Sequence, residues 1–426
     1  MSVLSRNAVV FSTHCIISNV LRSLFIDFNS YFASVEQQVH PELRGKPIAV
    51  VPVMTDTTSA IAASYEAKRF GVKTGTLVAD AKRMCPGLIL VQAGHVSYIE
   101  YHHRLVEVVE SVIHVKKVMS IDEMACELIG SMRNEDRARE IARDVKRAIY
   151  ENVGTEMKCS IGIAPNDFLA KTATDMQKPD GLVVIHQEDL PGVLFPLELQ
   201  ELCGIGRNMY KRLYKHGIYT VEMLCSASKQ QLREVWGGIE GERMWQRLRG
   251  EELAPMVTHK STVGHSHVLE PTLRSWEGAC GVLHRLMQKA AMRLRSYELL
   301  TGNLYISIRY VDGSRWKADM NLTVTQDTVQ LTSALVALLN AVPPTNAKPI
   351  KVSMALNKVE PLGSTPLPMF KNTGPAREQL NTGLDAINKK YGKNTLYVGS
   401  AHDALNSAPL RIAFNHIPDL NLDDDS

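Results

Sequence analysis

The spacing of apolar and polar positions changes several times along the chain, and each change marks a different kind of element. Between Leu24 and about Pro191, short apolar runs alternate with stretches whose apolar residues recur every three to four positions. The runs predict strands at Leu24–Phe28, Pro47–Val51, Ala60–Ser64, Leu88–Val91, Lys117–Ile121, Met124–Ile129, Met157–Ile163 and Leu182–Ile185. The periodic stretches predict helices at Ala33–Gln38, Tyr65–Phe70, Val78–Met84, Val96–Val115 and Asp136–Asn152, with Ile99 and Leu105 on a core-facing side. From Glu198 to Gly250 short helices take over. There Leu202-Cys203-Gly204-Ile205-Gly206-Arg207, followed by Leu213 and Gly217-Ile218, reads as helix, glycine-rich turn, helix. Between Lys260 and Glu360 the order is strand Thr262–Val268, helix Trp276–Tyr297, strands Asn303–Tyr310 and Arg315–Thr323, helix Thr328–Leu339 and strand Ile350–Leu356, a βαββαβ pattern. After Pro361, a Pro-, Gly- and Asn-containing stretch with an acidic end, Asp419 to Ser426, predicts a tether with short ordered pieces. The expectation is a multidomain α+β protein divided at 1–23, 24–191, 192–254, 255–360 and 361–426.

Composition narrows this only a little. At 426 residues, 45% hydrophobic and 22% charged, the chain can bury a sizeable core in several domains. A net charge of +3 is too mild to signal nucleic-acid binding, so a basic surface would have to come from local clustering of Lys and Arg. The seven cysteines have no CxxC spacing, which leaves no legible zinc site and fits reduced thiols. No apolar run is long enough for a bilayer and the first twenty-odd residues lack a cleavage pattern, so a cytoplasmic protein without membrane contact is expected. Met1 to Arg22 reads as an extension or an upstream translation start, in which Val9-Val10-Phe11 and Ile16-Ile17 could pack.

The candidate chemistry lies where two apolar runs end in acids. Asp27 closes Leu24 to Ile26, and Asp122 and Glu123 close Val118 to Ile121. On adjacent strands these would bring three carboxylates to one sheet edge. Oxygen-only ligands suit magnesium or manganese, and two such ions activate an attacking hydroxyl and stabilise a leaving pyrophosphate. Each acid alone is more simply a strand-end or capping residue. The surrounding text decides: Asp27-Phe28-Asn29-Ser30-Tyr31-Phe32-Ala33-Ser34-Val35-Glu36 together with Ser120-Ile121-Asp122-Glu123 resembles the two palm motifs of Y-family DNA polymerases.

That resemblance implies a right-hand architecture of palm, fingers, helix-hairpin-helix thumb and little finger, and translesion synthesis in DNA damage tolerance. Asp27, Asp122, Glu123 and the Phe28 carbonyl would bind two magnesium ions, with manganese as a substitute. Phe32 would be the steric gate against a ribose 2′-hydroxyl. Ala63 to Gly75 resembles the fingers helix, which assigns Tyr65 and Lys68 to the incoming triphosphate. Cys159 to Ala164, then Asn166 to Lys171 and Asp175 to Gly181, resembles the strand and helix ending in Lys-Pro-x-Gly, which adds Lys178. Primer-template DNA would meet the Gly204 and Gly206 turn with Lys211 and Arg212 in the thumb, and Arg293, Arg295, Arg309, Arg315 and Lys317 in the little finger. Leu410-Arg411-Ile412-Ala413-Phe414 is spaced like a peptide for a sliding clamp, although a short strand explains it equally well.

Three positions depart from the family pattern. Asn29 stands where many members have a second Asp, Lys68 where most have Arg, and Met124-Ala125-Cys126-Glu127 where a small residue, an aromatic and Leu-Asp are usual. Lys offers phosphate a point charge in place of a planar fork. Two rivals are a non-catalytic polymerase-like accessory in a mutagenesis complex, against which the intact acidic trio argues, and a nucleotidyl cyclase, for which the thumb and βαββαβ segments would have no use.

Overall fold

The computed structural model describes residues 21–256, 259–363, 375–392, 394–405, 407, 412 and 417. The apolar pieces at Val9 to Phe11 and Ile16-Ile17 lie outside them. The first domain begins with β1 (Ser23–Phe28), α1 (Tyr31–Val39), β2 (Ile48–Val51), β3 (Ala62–Ala63), α2 (Tyr65–Lys68), α3 (Val78–Met84) and β4 (Ile89–Gln92). It continues through α4 (His95–Glu110), β5 (Val115–Ser120), β6 (Glu123–Glu127), α5 (Glu135–Asn152), β7 (Cys159–Ala164), α6 (Asp167–Met176) and β8 (Leu182–Val184).

All six residues of β1 are buried, which requires a central strand. The main sheet runs β5-β6-β1-β7-β8, with β1 antiparallel to both neighbours. Its Leu24, Ile26 and Phe28 share one core with Tyr98, Ile99 and Leu105 of α4 and Ile141, Val145 and Ile149 of α5. A small sheet, β3-β2-β4, supports α2 and α3 around Ala63, Ala67, Val72, Ala81 and Cys85. Most element ends shift by a residue or two from the sequence expectation, and two elements are shortened by more. The strand expected at Ala60–Ser64 is only Ala62–Ala63. The helix expected to reach Val115 ends at Glu110, where the Ser111 hydroxyl bonds the Val108 carbonyl and the Glu110 carboxylate accepts from the Val115 amide, so local side chains compete with further helical turns.

The thumb holds α7 (Arg207–Lys215), α8 (Val221–Ser226), α9 (Lys229–Trp236) and α10 (Ile239–Arg247). The element before the glycine-rich turn is a single 3-10 turn, Leu199–Glu201, and not the expected helix. Thumb and palm share a core: Phe25, Ala125 and Leu169 of the palm cluster with Leu213, Leu224 and Leu232 of the thumb. The Asn166 amide adds bonds to the carbonyls of Arg247 and Glu251, each 3.0 Å.

The C-terminal domain contains β9 (Thr262–Val268), α11 (Trp276–Ser296), β10 (Leu299–Tyr310), β11 (Arg315–Thr325), α12 (Thr328–Asn340) and β12 (Pro349–Pro361) in the expected βαββαβ order. The sheet is antiparallel, ordered β11-β10-β12-β9, and Leu304, Ile306, Ile308, Val352, Met354 and Leu356 turn one face onto the two helices. The other face is open. The segment after Pro361 is more ordered than a tether: α13 (Pro375–Tyr391) and a 3-10 turn, Gly399–Ala404, dock on this domain, with Ala401 and Ala404 buried. Of the clamp-like peptide only Ile412 is among the described residues, and it packs against the palm core. No described helix is long and apolar enough to cross a membrane.

Candidate active site

Register sets Asp27 of β1 directly opposite Glu123 of β6. Asp122 lies in the turn between β5 and β6; its carbonyl accepts the Phe28 N–H at 2.9 Å and its carboxylate accepts the Ser120 hydroxyl at 2.5 Å. Behind this turn the buried His102 ring has Nδ1 2.8 Å from the Ile121 carbonyl. A carbonyl can only accept, so Nδ1 carries a proton, and burial lowers the ring's pKa towards the neutral form. Burial pushes the Asp122 carboxyl up to about 6; the Ser120 bond opposes the rise and the charges of Asp27 and Glu123 add to it.

Two lysines answer these acids. Lys171 of α6 pairs with Asp27 and lies 2.9 Å from Glu123 and 3.6 Å from Asp175. Lys178 lies 2.7 Å from Asp27 and 2.8 Å from Asp175. Burial works against both cations, yet the carboxylates outweigh it and raise both pKa values. Gly162 of β7 allows α6 this close, since a Cβ there would run into the Ala170 carbonyl. Asn29 braces the Lys178 loop: its Nδ2 donates to Ser160 at 3.1 Å and its Oδ1 accepts the Asp180 N–H at 2.8 Å. An aspartate could not make the first bond, which gives this departure from the family pattern a structural use.

The donor set is three carboxylates with no competing nitrogen or sulfur, the set that hard divalent cations take. Lys171 demonstrates that a positive charge fits between Asp27 and Glu123. Among the described residues no three His, Cys, Asp or Glu side chains already converge on one point, and here Lys171 holds two of the acids and Ser120 the third.

The remaining predicted nucleotide-site residues gather nearby. Phe32 stacks on the buried Tyr98 ring with centroids 4.4 Å apart, and Tyr98 is fixed by a 2.5 Å bond to Glu36. Lys68 Nζ lies over the Tyr65 ring at 4.4 Å. Burial and then the Lys178 charge lower the Lys68 pKa; burial raises that of Tyr65, with Lys178 opposing. Tyr65, Lys68, Lys178 and Asp27 thus share one electrostatic environment.

The residues predicted to contact DNA fall in different settings. Gly204 has φ +85°, and Gly206 caps α7 without a side-chain bond, which leaves first-turn amides open beside the exposed Lys211 and Arg212. Arg309 stands between Arg315 and Lys351 in register, on the open sheet face with Lys317. Arg315 is held along the sheet by Ser307 at 2.7 Å and the Tyr305 hydroxyl at 3.1 Å. Arg293 is on α11, away from the sheet. Arg295 is a correction: its guanidinium grips Asp385 of α13 with bonds of 2.6 and 2.7 Å and also bonds Gln326 and Thr328, and its side chain is 9% exposed. It anchors the tail and cannot also face DNA.

Residues 26–175 match the model of the impB/mucB/samB family, and residues 260–367 match the C-terminal domain of that family. DNA polymerase IV of Bacillus velezensis is 31% identical over 402 residues, covering 92% of this chain and 95% of that protein. The chain belongs to the Y family of DNA polymerases. A second Y-family relative, DNA polymerase IV of Moorella thermoacetica, is 35% identical over 292 residues, 67% of this chain and 72% of its own. Among solved structures, a Dbh–Dpo4 chimeric Y-family polymerase has the same fold, with TM-score 0.65 and 22% identity over 80% of this chain and 99% of that one. An insertion ternary complex of Dbh DNA polymerase gives 0.51 at 23% identity, over the same shares of the two chains. The protein is thus a DNA-directed DNA polymerase of the translesion type, from a family that depends on divalent metal.

Reading the sequence missed Lys171, Asp175, His102 and Tyr98. Lys171 had one signal: it stands between Ala170 and Thr172 on a helix whose neighbouring positions are small, four residues before Asp175.

Proposed function

We propose that this Y-family polymerase extends a primer on a DNA template, with Asp27, Asp122, Glu123 and the Phe28 carbonyl as the ligands of two magnesium ions, manganese being an acceptable substitute. The observation that carries this reading is Asp27 facing Glu123 across the β1–β6 register, with Asp122 alongside and two lysines in contact. Bound divalent ions supply activation of the primer 3′-hydroxyl and neutralisation of the leaving pyrophosphate. The chain's own part is positioning. Lys178 and Lys68 neutralise the incoming triphosphate and Tyr65 orders it. Phe32, stacked on Tyr98, leaves no room for a 2′-hydroxyl. Thumb amides at Gly204 and Gly206, with Lys211 and Arg212, hold one stretch of phosphates, while Arg309, Arg315, Lys317 and, from the helix side, Arg293 serve the little finger. Domain limits at 24–191, 192–254 and 255–360 follow this division of labour. The cytoplasm is the proposed site of action, in keeping with free thiols at Cys85, Cys126, Cys159, Cys203, Cys225 and Cys280.

Primer extension with single deoxynucleotides and magnesium, comparing wild type with Asp122→Ala/Glu123→Ala, is the deciding experiment. Extension should fall at least about a thousandfold in the variant while primer-template binding persists. Equal extension by both proteins would remove these acids from the chemistry. Phe32→Ala should raise ribonucleotide incorporation at least about tenfold; an unchanged ribo/deoxy ratio would remove it as the gate.

A further inference from the structure

Helix α7 carries tyrosines beyond its hairpin turn that the proposed grip on primer-template DNA does not use. Its nine residues include Arg207, Lys211, Arg212 and Lys215 and no acid. Among the described residues, the ion pairs within the thumb join Lys229 and Arg233 to Glu242, and Arg243 and Arg247 to Glu240, leaving the four cations of α7 outside them. Lys211 and Lys215 are four apart on one helix face, a spacing at which like charges repel. Three rings run beside them. Tyr210 and Tyr214 have centroids 5.7 Å apart and Tyr214 and Tyr219 4.5 Å, with Tyr214 53% and Tyr219 50% exposed. Tyr210, Lys211, Tyr214 and Lys215 line a shallow depression of about 320 Å³.

Tyr210 is half-buried against the thumb core, but a solvated basic face does not require the exposed pair Tyr214 and Tyr219 beside it. The combination calls for an anion that also offers flat apolar faces. Bases within a duplex are already stacked on each other, whereas unpaired nucleotides present both phosphates and free base faces. We propose that Tyr210, Tyr214 and Tyr219, with Lys211 and Lys215, form a binding site for unpaired nucleotides of single-stranded DNA, with bases on the rings and phosphates on the lysines. The site continues along α7 from the hairpin amides, so it rests on the polymerase reading for the source of the strand.

The test uses the full chain and an oligo(dT) of roughly 12 nucleotides carrying 5-iododeoxyuridine. Photocrosslinked peptides are mapped, and anisotropy gives affinities for oligo(dT) and for a blunt duplex. Crosslinks at Tyr214 or Tyr219 are expected. Tyr214→Ser/Tyr219→Ser should weaken oligo(dT) binding at least about tenfold with duplex binding unchanged, and Tyr214→Phe/Tyr219→Phe should restore it. Crosslinks confined to other residues, an undiminished oligo(dT) affinity, or an equal loss for duplex would each overturn the proposal; so would a serine variant altered only in self-association. Extension on an undamaged template separates the two readings, because a serine pair that still extends primers leaves the polymerase assignment intact whatever the crosslinks report.

Discussion

In the palm, Asp27, Asp122 and Glu123 are answered from within the chain, by Lys171, Lys178 and the Ser120 hydroxyl. On the open face of the C-terminal sheet, Arg315, Arg309 and Lys351 stand in register across three strands, and Arg315 leans on the neutral hydroxyls of Ser307 and Tyr305. Like charges directly opposite one another destabilise a sheet unless an outside anion joins them. The palm acids are therefore met by cations of the same chain, whereas on the C-terminal face like charges lie side by side across neighbouring strands. On the proposed reading, metal binding exchanges partners in the first region, and DNA binding adds one to the second.

Three substitutions would break or sharpen this contrast. Lys171→Met keeps the bulk of the side chain and removes the charge that pairs with the half-buried Glu123 and shares the buried Asp27 with Lys178. In EDTA it should cost about 3–5 kcal/mol of stability, with much of that regained in magnesium. A melting temperature equal to wild type in EDTA would mean that the palm does not rely on its internal cations. Asp122→Asn should act in the opposite direction. Because burial pushes the folded carboxyl up to about 6 from an ordinary 3.8, the folded state binds more protons between those values and stability falls as pH rises through them. At neutral pH the metal-free variant should be more stable by about 1–3 kcal/mol, and its stability should be flatter with pH across that window. A variant less stable than wild type at neutral pH would contradict this. The smallest effect belongs to Arg309→Ala: the fold should hold, while the slope of log affinity for primer-template against log salt becomes shallower by about one. An unaltered slope would take Arg309 off the DNA face.

The acids stood out in the sequence because each ends an apolar run, and what singled them out was the resemblance of the residues around them to the Y-family palm motifs. The βαββαβ order was legible because its elements are long and strictly periodic. What escaped was non-local. Lys171 looks like an ordinary helix-surface lysine until Gly162 draws α6 onto β7. Arg295, two residues from Arg293, looked like a phosphate contact, but its partner Asp385 is 90 residues away. The helix end at Glu110 was hidden by the apolar run Val112-Ile113, which continues the helical spacing while Ser111 and Glu110 bond the backbone locally.

The Arg295–Asp385 clasp has a practical consequence for anyone shortening this protein. A chain cut after Pro361 would lose the carboxylate that holds a guanidinium 9% exposed in the full chain, and the turn that seals Ala401 and Ala404 against α11. The cut would also strip the Val398 carbonyl from the Gln288 amide, 3.0 Å away. Residues 375–392 and 394–405 are therefore part of the body of the C-terminal domain, and a minimal version, or a tag meant to hang free, should start from their far side.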